Sequence, residues 1–190
     1  MNQTNVTTAQ SLRSLYYVRS AVQLLWAIAV MMTSTTNPTA AGVLLILYPL
    51  WDVACTAYEI KTSSSPQTTQ KINLVLGLAT AAGIASTIFT HEAFAIATFG
   101  AWALAAGLLQ LATGVLRRKQ IGGQVAMILS GAQSTAAGAA FLLGGLALKV
   151  HVKDIAGYAI FGAVYFLIGA FFLGRKLAKD LSANLSPTLR

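Results

Sequence analysis

Residues 93–119 read AFAIATFGAWALAAGLLQLATGVLRRK. No charge interrupts the stretch before Arg117, where three cations stand together. A helix rises about 1.5 Å per residue, so this run is long enough to cross a hydrocarbon layer of roughly 30 Å. It lacks the alternation of a membrane β-strand, the other element that satisfies its backbone in lipid. Further charge-free stretches cover residues 20–51, 72–90, 120–148 and 155–174. Of the 190 residues, 56% are hydrophobic and 9% charged; soluble domains carry about 25% charged residues. The chain reads as an all-α, polytopic membrane protein.

Polar breaks at TSTTNPT (33–39), KTSSSPQTTQK (61–71), THE (90–92), RRKQ (117–120) and KVHVKD (149–154) divide it into six expected transmembrane helices. These run approximately over 13–34, 38–60, 71–90, 92–117, 121–148 and 154–178. Residues 1–12 read as a polar tail, 13–179 as one transmembrane domain and 180–190 as a second tail. The first eleven residues lack the basic opening of a cleavable signal. The sequons Asn2-Gln3-Thr4 and Asn5-Val6-Thr7 fall in this tail and read as chance matches. The single cysteine, Cys55, lies inside an expected span and has no internal disulfide partner.

The net charge is +8. On a soluble protein that would suggest nucleic acid. Here the cations lie between spans, so membrane topology explains them and no nucleic-acid partner is expected. Arg13, Arg19, Lys61, Lys71, Arg117, Arg118, Lys119, Arg175, Lys176, Lys179 and Arg190 collect at one side, against Lys149 and Lys153 at the other. The positive-inside rule then places both termini in the cytoplasm of a cell with this protein in its inner membrane. The basic loops also suit an anionic lipid surface.

Helices 1–2 end in YEIK, helices 3–4 in VLRRK and helices 5–6 in FLGRK, which suggests three helical-hairpin repeats. Two inverted halves of three helices are the alternative. In lipid, close packing through small residues holds helices together. Gly100, Gly107 and Gly114 recur every seven residues, as do Gly131, Gly138 and Gly145 on the next helix, and Gly162 and Gly169 on the last. The first two stripes are expected to meet.

The stretch FGAWALAAGLLQLATGVLRRKQIGGQVAMILSGAQSTAAGAAFLL, residues 99–143, resembles the HdeD-like family of bacterial inner-membrane proteins, built from a short repeat of unknown function. The resemblance rests on Gly100, Trp102, Ala103, Leu104, Gly107, Leu109 and Gln110, on the basic loop Arg117, Arg118 and Lys119, and on Ile128, Leu129, Ser130, Gly131 and Gly138. It covers about a quarter of the chain. The first hairpin departs from the pattern with YPLWD, and TSSSPQTTQ lengthens a loop. The resemblance implies a role in acid or envelope stress resistance, and it brings no catalytic residue or cofactor with it.

Asp52 stands nine residues before Lys61, roughly 13 Å along a helix. A charge at such depth costs at least ~2.5–3.5 kcal/mol unless paired or wet. Arg19, after a Tyr16-Tyr17 belt, is the expected partner; a protonated or water-linked carboxyl in a functional cavity is the alternative. Pro49, one turn earlier, frees a backbone carbonyl there. Gln110 precedes Lys119 by the same nine residues, a possible repeat equivalent of Asp52, and reads first as an interhelical hydrogen bond. Trp26, Trp51 and Trp102 fall near mid-span, as core or as the wall of an amphiphile pocket. His91 with Glu92, and His151 with Asp154, occupy the far side, where histidine charging between pH 5 and 8 would add positive charge.

No G-x-S-x-G, H-E-x-x-H or phosphate-binding loop occurs, so no catalytic or metal site and no cofactor is expected. The expectation is a non-enzymatic, HdeD-like membrane protein acting in stress through membrane lipids or a homo-oligomer. The alternative is a small-solute transporter, or the substrate-binding subunit of a permease, using the polar site near Asp52.

Overall fold

A computed structural model describes residues 3–62, 68–119 and 124–185. Asn2 of the first sequon, the middle of the 61–71 loop, residues 120–123 and Arg190 lie outside the described residues. Six α-helices follow one another: α1 (Gln3–Thr33), α2 (Pro38–Thr62), α3 (Thr68–Thr87), α4 (Glu92–Arg117), α5 (Gln124–Leu146) and α6 (Ile155–Leu185). A single 3₁₀ turn, Val152–Asp154, precedes α6, and no strand occurs among the described residues.

Five of these helices are long and apolar enough to cross a membrane. The sixth, α3, is the exception to the six spans expected. Its first turns carry Thr68, Thr69, Gln70, Lys71 and Asn73, and Thr80, Ser86 and Thr87 lower its hydropathy further. α1 begins well before residue 13, inside the segment expected to be a polar tail. Thr8, Ala9 and Leu12 are buried, and Ala9 and Leu12 share an apolar cluster with Leu173 and Leu177 of α6. That burial prolongs both helices, which reach 31 residues each, about 46 Å.

Each helix packs against its neighbours in sequence, and α6 returns against α1, so the six close into a ring. Close and loose contacts alternate around it. The pairs α4–α5, α1–α6 and α2–α3 are close, whereas the hairpins α1–α2, α3–α4 and α5–α6 are looser. The alternation has a period of two helices. It also places the tight seams between hairpins, not within them.

The α4–α5 seam shows the cause. A Cβ on Gly131 would lie 2.7 Å from the Leu111 amide nitrogen and 2.9 Å from the Gly107 carbonyl oxygen. On Gly107 it would lie 2.5 Å from the Thr135 nitrogen. Gly100 and Gly138 meet in the same antiparallel register, Gly145 rests on Ala93 and Ala97, and Gly114 faces Ile128. Backbone touches backbone along the whole seam, as small-residue stripes permit. On α6, Gly162 and Gly169 leave room for the Gln23 and Tyr16 side chains of α1.

The ring is filled unevenly along its axis. Toward the end carrying Glu92 and His151 its interior is solid with Val30, Leu45, Ile84, Ile96, Phe99 and Ile155, all buried. Val152 of the 3₁₀ turn packs into that core. Large apolar side chains also face outward, including Leu25, Met32, Val75, Leu116, Phe161 and Phe171, as suits a lipid-facing surface. Toward the basic end the interior is hollow.

Candidate functional site

The hollow half is a cavity of about 90 Å³ that takes side chains from all six helices. Each helix contributes a stripe at helical spacing. α1 presents Tyr16, Arg19 and Gln23; α2 presents Asp52, Thr56 and Glu59; α3 presents Gln70 and Asn73. α4 adds Trp102, Gln110 and Thr113, α5 adds Met127, Ser130 and Ser134, and α6 adds Tyr158, Gly162 and Phe166. Positions three and four apart share a helical face.

Two ion pairs sit at two levels. Deeper in the ring, Arg19 Nη2 donates to Asp52 Oδ1. Asn73 Nδ2 donates to Asp52 Oδ2 at 2.6 Å and lies 3.2 Å from Thr56 Oγ1. The Arg19 guanidinium also lies 4.6 Å above the Phe166 ring, a cation–π contact. Two turns nearer the basic end, about 10 Å along α2, Arg117 Nη1 donates to Glu59 Oε1 at 2.6 Å. Gln70 Nε2 donates to the same oxygen at 3.2 Å, and Thr69 Oγ1 donates to Gln70 Oε1 at 2.9 Å. Both pairs are largely buried: the exposures are 12% and 14% for Arg19 and Asp52, and 9% and 13% for Arg117 and Glu59. Such charges are costly in hydrocarbon unless matched, and here two cations answer two anions.

Aromatic rings close the cavity on its inner side. Tyr48 stands against Trp26, Phe99, Trp102 and Tyr158, with ring centroids 4.6–6.3 Å apart. Tyr158 and Ser134 are joined by a hydrogen bond of 3.1 Å. The lumen is a polar chamber with an aromatic floor and an ionic mouth.

Asp52, Arg19 and Gln110 thus face one cavity. Arg19 turns inward instead of snorkelling, and Tyr16 is buried beside Phe166 rather than standing in an interfacial belt; only Tyr17 is exposed. Gln110 Nε2 reaches Met127 Sδ on α5 at 3.7 Å. Leu167, at the matching offset on α6, faces outward, so the repeat places only two polar positions in the lumen. The three tryptophans do not share a pocket. Trp102 lines the cavity, while Trp26 and Trp51 line an apolar cleft of about 560 Å³ between α1 and α2. Trp26 is also held by its Nε1 donating to the Leu44 carbonyl at 2.7 Å.

At the far end, three of the four expected residues converge and one does not. His151 Nδ1 lies 3.8 Å from Glu92 Oε2. The Val152 amide donates to Glu92 Oε1 at 2.9 Å and the His151 amide to Asp154 Oδ2 at 2.8 Å. These acids anchor the turn that starts α6. His91 stands apart, its ring 5.8 Å from that of Phe94.

Glu59, Arg117, Asn73 and Gln70 were not singled out from the sequence. Glu59 lies two turns from Asp52 with Thr56 between them, and that polar stripe on an otherwise apolar helix was the available signal. Arg117 read as a loop cation because it opens the run RRK.

No family model matches this chain, and no curated protein or solved structure matches it either.

Proposed function

We propose that this protein is a multi-pass protein of the cytoplasmic membrane that binds a small polar solute inside its helix ring, as a transporter or as the solute-binding subunit of a permease. All six helices cross the bilayer in this reading, α3 shielding its polar face inside the ring. The basic end and both termini face the cytoplasm, so the chamber is approached from that side. The observation that carries the reading is the central cavity lined by all six helices, with two matched ion pairs at successive depths. A purely structural bundle gains nothing from such a lumen, since replacing buried ion pairs by apolar side chains is often neutral or stabilising. The position also agrees with the general siting of ligand pockets between bundle helices. The resemblance of residues 99–143 to HdeD-like proteins supports a second role, in acid stress.

One comparison separates the two. Detergent-purified protein is heated in the presence of pooled small polar solutes, and in parallel a deletion strain is challenged at low external pH. Solute binding predicts a pool that raises the unfolding temperature, an effect lost in Asp52→Asn. A stress scaffold predicts no stabilising pool and a survival defect. A flat response to every pool would end the solute reading.

A further inference from the structure

Seven buried side-chain polar atoms lack a hydrogen-bond partner among the described residues, and four of them belong to residues lining the central cavity. They are Arg19 Nε and Trp102 Nε1, which donate, and Asn73 Oδ1 and Gln23 Oε1, which accept. Gln23 is 6% exposed and Trp102 5%. A buried polar group without a partner costs about 1–3 kcal/mol, and two of these residues are already held at their other polar atoms. Arg19 is fixed by Asp52, and Asn73 by Asp52 and Thr56. None of the four is open to water, so they stand behind the cavity wall, and what the cavity can take is set by its charge and its size.

Charge narrows the demand. Arg19 and Arg117 are answered by Asp52 and Glu59, so the charged side chains around the chamber sum to zero. A solute with net charge would enter a low-dielectric site with nothing left to neutralise it. Size narrows it again. At about 10–15 Å³ of accessible space per water-sized atom, about 90 Å³ holds only some six to nine such atoms.

On the reading that this cavity binds a solute, we propose that the solute is a net-neutral polar molecule of no more than about nine heavy atoms. Zwitterions and small polyhydroxy compounds share this chemistry. Anions, cations and larger sugars do not.

The test uses the full chain in detergent, with thermal unfolding and binding of radiolabelled solute as readouts. The probes are glycine and glycerol as net-neutral solutes, glycolate as anion, ethanolammonium as cation and sucrose as an oversized neutral. Glycine or glycerol should bind at least about tenfold more tightly than the charged probes, which bring an unneutralised charge, and than sucrose, which exceeds the space. Asp52→Asn leaves Arg19 unanswered and should turn the preference toward glycolate. If that variant does not fold, Glu59→Gln leaves Arg117 unanswered and should produce the same turn. Equal or tighter binding of a charged probe or sucrose overturns the proposed class while leaving solute binding intact. Failure of every probe, here and in the pooled screen, removes the solute reading itself.

Discussion

Asp52 accepts from Arg19 and from Asn73 at once, so its charge is balanced while both of its oxygens are occupied. Removing one member of such a pair strands the other in a medium that cannot solvate it. Arg19→Leu or Asp52→Leu alone should each cost ~3–5 kcal/mol of stability, and the double variant much less than their sum. Denaturant unfolding in micelles, read as a double-mutant cycle, measures the coupling. Strictly additive losses would mean that the two charges do not depend on each other. This pair was legible in the sequence, because a carboxylate in a charge-free helix demands a cation at similar depth and Arg19 is the first available. Glu59 and Arg117 were not legible as a pair. Each sits at a helix end, where a charge is ordinarily solvated, and only the ring brings residues so far apart in sequence together.

At the scale of the helix, glycine spacing decides which surfaces can touch. Gly131 rests on the backbone of Leu111 and Gly107, which cannot yield as a flexible side chain would. Gly131→Ala should therefore destabilise by about 1–3 kcal/mol through overpacking. Gly157 has nothing within 4 Å of where a Cβ would lie. Gly157→Ala should be neutral or up to about 1 kcal/mol stabilising through helix propensity. Thermal unfolding of the two variants side by side checks the contrast, and equal effects would detach it from the seam. The sevenfold spacing revealed the faces of α4 and α5. It could not reveal that seams between hairpins are tighter than those within them, since spacing names a face and not the neighbour that covers it. The polar character of α3 was likewise masked. Its uncharged stretch 72–90 satisfies a count of charges, while its threonines, glutamine and asparagine lower the hydropathy, and Thr69, Gln70 and Asn73 line a lumen.

For the molecule as a whole, the proposed orientation rests on the distribution of charge. Arg19 and Arg117 are withdrawn into ion pairs, yet Arg13, Lys61, Lys71, Arg118, Lys119, Arg175 and Lys176 still stand against Lys149 and Lys153. In a Cys55→Ala background, Lys61→Cys and Lys71→Cys should react with a membrane-impermeant thiol reagent only from the cytoplasm. His91→Cys and Lys149→Cys should react only from outside. Lys71 and His91 flank α3, so labelling of both from one side would show that this helix does not cross.

The two ion pairs also differ in the stretch of chain each must wait for. Arg19 and Asp52 lie on adjacent helices, and the cation comes first, so the deeper acid is made with its partner already in the chain. Glu59 needs a partner 58 residues downstream, and until α4 emerges it is unmatched. It stands near the aqueous rim, where delay is tolerable. The order of synthesis and the depth of each acid are thus in step: the deeper carboxylate always has its cation ahead of it in the chain.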